Sequence, residues 1–154
     1  MTLKDKILNP GDHCIGTSIG LLIIRVVPSG MMLSHGWSKL MGFGQMSDQF
    51  PDPIGVGSPM SLALVVFAEF FCSLAVILGI GTRVVVIPLV ITMLVAAIAI
   101  HGNDPFANKE LPLLYAAIFL PLMFAGAGRY SIDAIVCKER GYVSLLKPKT
   151  AEKP

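Results

Sequence analysis

Four stretches of nearly unbroken apolar residues alternate with short polar segments rich in glycine and proline. They fall at about residues 15–33, 60–78, 84–100 and 111–125, each about 16 to 20 residues long. At 1.5 Å of rise per residue that is about 25–30 Å of helix, just enough to cross the hydrocarbon core of a bilayer. Ser58-Pro59 is a helix-start signal, and Gly79-Ile80-Gly81-Thr82-Arg83 is a tight turn between the second and third stretches. Pro28 is expected to kink the first helix. Such short connections predict an all-α membrane protein: one domain over residues 1–154, folded as an up-down-up-down four-helix bundle. Gly126 and Gly128 should stop the last helix, with Ser131 capping an amphipathic tail over about residues 131–147. There Ile132, Ile135 and Val136 would lie on the membrane surface while Lys138 and Arg140 face its headgroups.

Composition sharpens this picture. The 154 residues are 54% hydrophobic and 14% charged, against about a quarter charged in a soluble domain, which leaves too little polar surface for a soluble globule. A net charge of +2 and the lack of a basic run interleaved with aromatics argue against a nucleic-acid partner. Cys14, Cys72 and Cys137 form no Cys-x-x-Cys motif, so neither a zinc site nor a thioredoxin-like centre is expected. The segment after Lys4 and Lys6 reads Asn9-Pro10-Gly11-Asp12, which is not the pattern of a cleavable signal peptide.

Orientation follows from the basic residues. Lys4, Lys6, Arg83, Arg129 and most lysines of the C-terminal tail fall on one side, and only Lys39 and Lys109 on the other. The positive-inside rule then places both termini in the cytoplasm.

Two ions interrupt the apolar stretches: Arg25 in the first and Glu69 in the second. An ionisable residue at membrane depth marks a functional site by default, because an unpaired charge there is costly. Each lies about ten residues from the expected cytoplasmic end of its helix, about 15 Å deep, so the two are placed to pair across antiparallel helices. Such a pair has two readings: it fixes helix register, or it binds a polar headgroup and moves a proton. A second group gathers near the outer face: His35, Lys39, His101, Glu110 and Tyr115. A histidine beside a carboxylate suits proton transfer at neutral pH. Ligation of a metal or haem by His35 and His101 is not expected, since helix-end histidines are ordinarily interfacial.

In combination and order these residues resemble the DoxX family of small bacterial four-helix membrane proteins. The likeness runs from about Ile19 to Ala134. It rests on Arg25, His35-Gly36-Trp37-Ser38-Lys39, Ala68-Glu69, Leu78-Gly79-Ile80-Gly81-Thr82-Arg83, and His101-Gly102-Asn103 with Glu110 and Tyr115. The closing Gly-x-Gly-Arg-Tyr-Ser-x-Asp at Gly126 to Asp133 completes it. The resemblance implies the bacterial inner membrane and a redox association, through relatives of the membrane subunit of thiosulfate:quinone oxidoreductases. The expectation is a redox-linked membrane subunit, associated with quinone, thiol or thiosulfate chemistry, and partnered by the lipid bilayer and a protein or larger membrane complex. Glu69, His35, His101 and Glu110 would be its proton-handling residues, and Arg25, Lys39 and Tyr115 would hold a quinone. The alternative is a non-catalytic accessory or assembly subunit of a respiratory complex.

Overall fold

The computed structural model describes residues 15–137, and the expected surface tail beyond Cys137 lies outside them. Among the described residues the structure is helical, without strands. The first long helix, α1, runs Ile15–Met41, and one short helical turn, α2, follows at Phe43–Met46. Helix α3 spans Ser58–Leu78, α4 spans Thr82–Ile100 and α5 spans Phe106–Ala125. Three of these, α1, α3 and α4, are long and apolar enough to cross a membrane. α1 continues past the expected end at Leu33, straight through Pro28, and α5 begins before the expected Leu111.

Each long helix packs against two others: α3 against α1 and α4, α5 against α4 and α1. The core they enclose is built from Met32, Cys72, Val76, Val86, Leu89, Tyr115, Phe119 and Leu122. The outward faces are apolar as well, with Ile23, Ile91, Ile98 and Phe124 exposed. In water such a surface would be a liability; in a bilayer it is the face that lipid covers.

α3 ends in a Schellman motif. Ile80 N donates to the Ala75 carbonyl and Gly79 N to Val76, with Gly79 at φ +72. Both α3 and α4 change pitch along their length: Phe67–Cys72 and Ala96–Ile100 are π-helical. Such widened turns often mark functional positions. α3 packs on α4 along residues 67–78 and has little contact with it over residues 58–66. The two helices therefore part above Glu69.

Two close approaches fix the register of α1 on α3. A Cβ on Gly36 would come within 2.6 Å of the Glu69 backbone carbon, and one on Gly79 within 2.6 Å of Arg25 Nη1. Arg25 is therefore level with the α3–α4 turn, and Glu69 is level with Gly36 and Lys39. The ten residues separating Glu69 from Gly79 correspond to about 15 Å along the helix. This overturns the expected Arg25–Glu69 pair: the two ions lie at different levels and have different partners.

Candidate functional site

Arg25 is held by backbone. Its Nη1 donates to the Ala127 carbonyl at 2.6 Å and its Nη2 to the Tyr130 carbonyl at 2.6 Å. The glycines at 126 and 128 adopt positive φ, which folds the segment after α5 over the guanidinium. Ser131 then caps the next helical turn, its hydroxyl accepting from Ala134 N at 3.1 Å. Asp133 reaches back: its carboxylate accepts from Gly81 N at 2.9 Å and Thr82 N at 3.3 Å, while its own N–H donates to the Gly79 carbonyl. A carboxylate at the free N–H groups of α4 also meets the positive end of that helix dipole. Every one of these contacts ties chain to chain. Arg25 is therefore a brace between α1, the α3–α4 turn and the segment after α5, with its buried Nε left without a hydrogen-bond partner among the described residues.

At the other end, Lys39 pairs with Glu69. Lys39 stands in the last turn of α1 and keeps partial exposure, whereas Glu69 is 5% exposed within the π-helical part of α3. The missing Cβ of Gly36 lets the two helices approach closely enough for that pair to form. Lys39 engages Glu69 Oε2, and Oε1 has no hydrogen-bond donor among the described residues.

Beside the pair lies a cavity of about 540 Å³, within the usual range of about 300–1,000 Å³ for small-molecule sites. Lys39 and Glu69 border it as an ion pair, and Ser61, Thr92 and His101 are its other polar lining residues. Leu64, Val65 and Phe67 of α3 and Pro88, Ile91 and Val95 of α4 form apolar walls, and the loop from Phe50 to Ile54 covers it. That loop is pinned by Asp52, whose carboxylate accepts from Ser61 Oγ at 2.7 Å, Gly57 N at 2.7 Å and Val56 N at 3.1 Å. The Ser61 hydroxyl and the Gly57 N–H hold the Asp52 carboxyl below its usual range. His101 Nδ1 lies 2.7 Å from Asp104 Oδ2, and that contact, followed by the one from Asn108, lowers the Asp104 carboxyl likewise.

Of the seven expected site residues, three meet here: Lys39, Glu69 and His101. His35 and Glu110 are exposed and outside the cavity wall. Tyr115 is buried in the core, stacked on Phe119 with ring centroids 6.0 Å apart. Its hydroxyl has no partner among the described residues. Asp52, Ser61, Thr92 and Asp104 were not singled out by the sequence reading. Only Asp104 had a sequence signal, three residues after His101 in the same loop.

An all-helical chain with an apolar exterior and a charged pocket among its helices defines a small integral membrane protein. The DoxX family model matches residues 20–102, and the chain belongs to that family. The inner membrane protein YqjF of Escherichia coli K12 is 30% identical over 79% of this chain and 95% of its own length. An uncharacterised protein of Haemophilus influenzae is 34% identical over 73% of this chain and 87% of its own. The Bacillus subtilis protein named "Putative oxidoreductase CatD" is 29% identical, covering 78% and 89% respectively. No solved structure matches.

Proposed function

We propose that this protein is a four-span bundle of the cytoplasmic membrane, redox-linked, that holds the head of a quinone or similar carbonyl compound between Lys39, Glu69 and His101. α5, with its 20 residues, is the fourth span. The bias of Lys and Arg toward the tails and the α3–α4 turn supports cytoplasmic termini, with the cavity in the outer half. YqjF's printed description as an inner membrane protein supports the location, and CatD's printed name supports the redox link.

One observation carries this reading: a nearly buried carboxylate, paired on one oxygen only, faces an apolar cavity roomy enough for a ring. The residues present fit a quinone head. The Lys39 ammonium donates hydrogen bonds and suits a ring carbonyl, while Glu69 and His101 can take and pass protons. A bound quinone would supply the electron-accepting chemistry. The chain's own part is to orient the ring, exclude water and carry protons, His101 being steadied through Nδ1 by Asp104.

The test is quinone retained by protein purified in mild detergent, extracted and quantified, for the parent and for Lys39→Met. The parent should retain quinone and Lys39→Met should lose most of it. Should neither retain quinone nor bind it when added, the accessory-subunit reading replaces this one.

A further inference from the structure

The cavity lies beneath the Phe50–Ile54 loop, and its α3 and α4 walls reach the exposed helix surface, which offers a ligand a route from the membrane. Asp52 holds the Phe50–Ile54 loop down through three hydrogen bonds. The Lys39–Glu69 pair and His101 both border the cavity. The rest of its wall comes from the faces of α3 and α4 above Glu69, where the two helices have little mutual contact. Leu64, Phe67 and Ile91 on those faces are 47%, 52% and 55% exposed, on the apolar surface that lipid covers. A molecule dissolved in the bilayer finds there an apolar cleft bordered by the Lys39–Glu69 pair.

Resting on the ligand-site reading above, we infer that the cavity is loaded sideways from the membrane. Its ligand is a single-tailed, lipid-soluble carbonyl compound. The head lies against Lys39, Glu69 and His101, and the tail leaves between α3 and α4 past Leu64, Phe67 and Ile91. A volume of about 540 Å³ holds a head and the first part of a tail, and the remainder of the tail lies in lipid. Tail binding buries apolar surface against these three side chains, so affinity depends on the tail as well as the head.

The experiment uses the full chain in lipid nanodiscs with two probes: decylubiquinone and its tailless ring, 2,3-dimethoxy-5-methyl-1,4-benzoquinone. Binding is measured for the parent, Ile91→Trp and Lys39→Met, with decylubiquinone expressed as mole fraction in lipid. Ile91 is exposed, so the larger indole should be tolerated by the fold, and each variant's melting temperature checks this. Ile91→Trp should weaken decylubiquinone by about tenfold and leave the tailless ring within about twofold, while Lys39→Met weakens both. If Ile91→Trp changes neither probe, or both alike, sideways loading is wrong while the head site stands. If neither probe binds the parent protein, both inferences fall together.

Discussion

Two charged clusters along the α1–α3 pair, about 15 Å apart, are built on opposite plans. Around Arg25 the partners are main-chain groups: carbonyls of Ala127 and Tyr130 receive the guanidinium, and the nearby Asp133 carboxylate receives N–H groups of the α3–α4 turn. Around Glu69 the ion has a single side-chain partner, Lys39, and the helices part beside it to leave a cavity. The guanidinium is engaged by backbone through Nη1 and Nη2, with its buried Nε left without a partner among the described residues. The carboxylate has one oxygen beside an apolar space that a ligand can enter. An ion within a membrane helix is therefore a poor guide to function until its hydrogen-bond partners are known.

The largest effect should come from the Arg25 end. Arg25→Met removes two charge-assisted hydrogen bonds and leaves two carbonyls without donors, together worth about 3–5 kcal/mol. Thermal unfolding in detergent should show a large drop, or the folded yield should collapse. Quinone binding per folded molecule should stay near the parent value, since Arg25 lies about 15 Å along the helix from Glu69. A stable Arg25→Met that fails to bind would reverse the two roles.

At the open end the order inverts. Lys39→Met leaves Glu69 charged and nearly buried, a loss of about 1–3 kcal/mol because Lys39 retains some exposure to water. Adding Glu69→Gln removes the uncompensated charge, so the double variant should recover most of the melting temperature without recovering quinone. Recovery of both would make the pair architectural and dissolve the contrast between the ends.

A smaller effect separates brace from cap within the first cluster. Asp133→Ala deletes the acceptor for Gly81 N and Thr82 N at the start of α4. Loss of a helix cap costs about 0.5–2 kcal/mol, below the Arg25 effect. If the two variants destabilise equally, Arg25 acts mainly through Asp133 rather than through the carbonyls it touches.

Much of the chain was legible before folding. Hydropathy marked the apolar runs because membrane helices must be apolar over a fixed length, and Arg25 and Glu69 stood out because ions there are costly. The offset between helices was not legible. Hydropathy locates a span but says nothing of how far it slides past its neighbour, and α1 continues to Met41. That slide replaced the expected Arg25–Glu69 pair with Lys39–Glu69. The glycines held the missing signal: Gly36 sits where the α1 and α3 backbones come close, Gly79 leaves room for the Arg25 guanidinium, and each lies beside one of the two ions. Tyr115 misled because a tyrosine near a helix end reads as interfacial, whereas its ring here completes the core. His35 and Glu110 share the outer end with the cavity but face away from it, a matter of helix rotation that the sequence pattern did not resolve.

The smallest effect concerns the roof of the open end and depends on pH. Asp52 has its carboxyl lowered, first by the Ser61 hydroxyl and then by the Gly57 N–H. A carboxyl whose folded pKa is depressed contributes stability that is present above its unfolded value and is lost as pH falls through the folded one. Because the usual value is about 3.8, the roof should stay pinned at neutral and mildly acidic pH and loosen only below that range. Hydrogen exchange at Val56 and Gly57, corrected for intrinsic rates, should therefore change little from pH 7 to 5 and lose protection only below the usual carboxyl value of 3.8. In Asp52→Asn, which keeps one acceptor oxygen but no charge, the same amides should be less protected throughout and lack the acid step. Amides around Phe119, deep in the core in the middle of α5, should show no matching step. An acid step shared by those core amides would instead signal global unfolding, and the roof would then owe its closure to something other than Asp52.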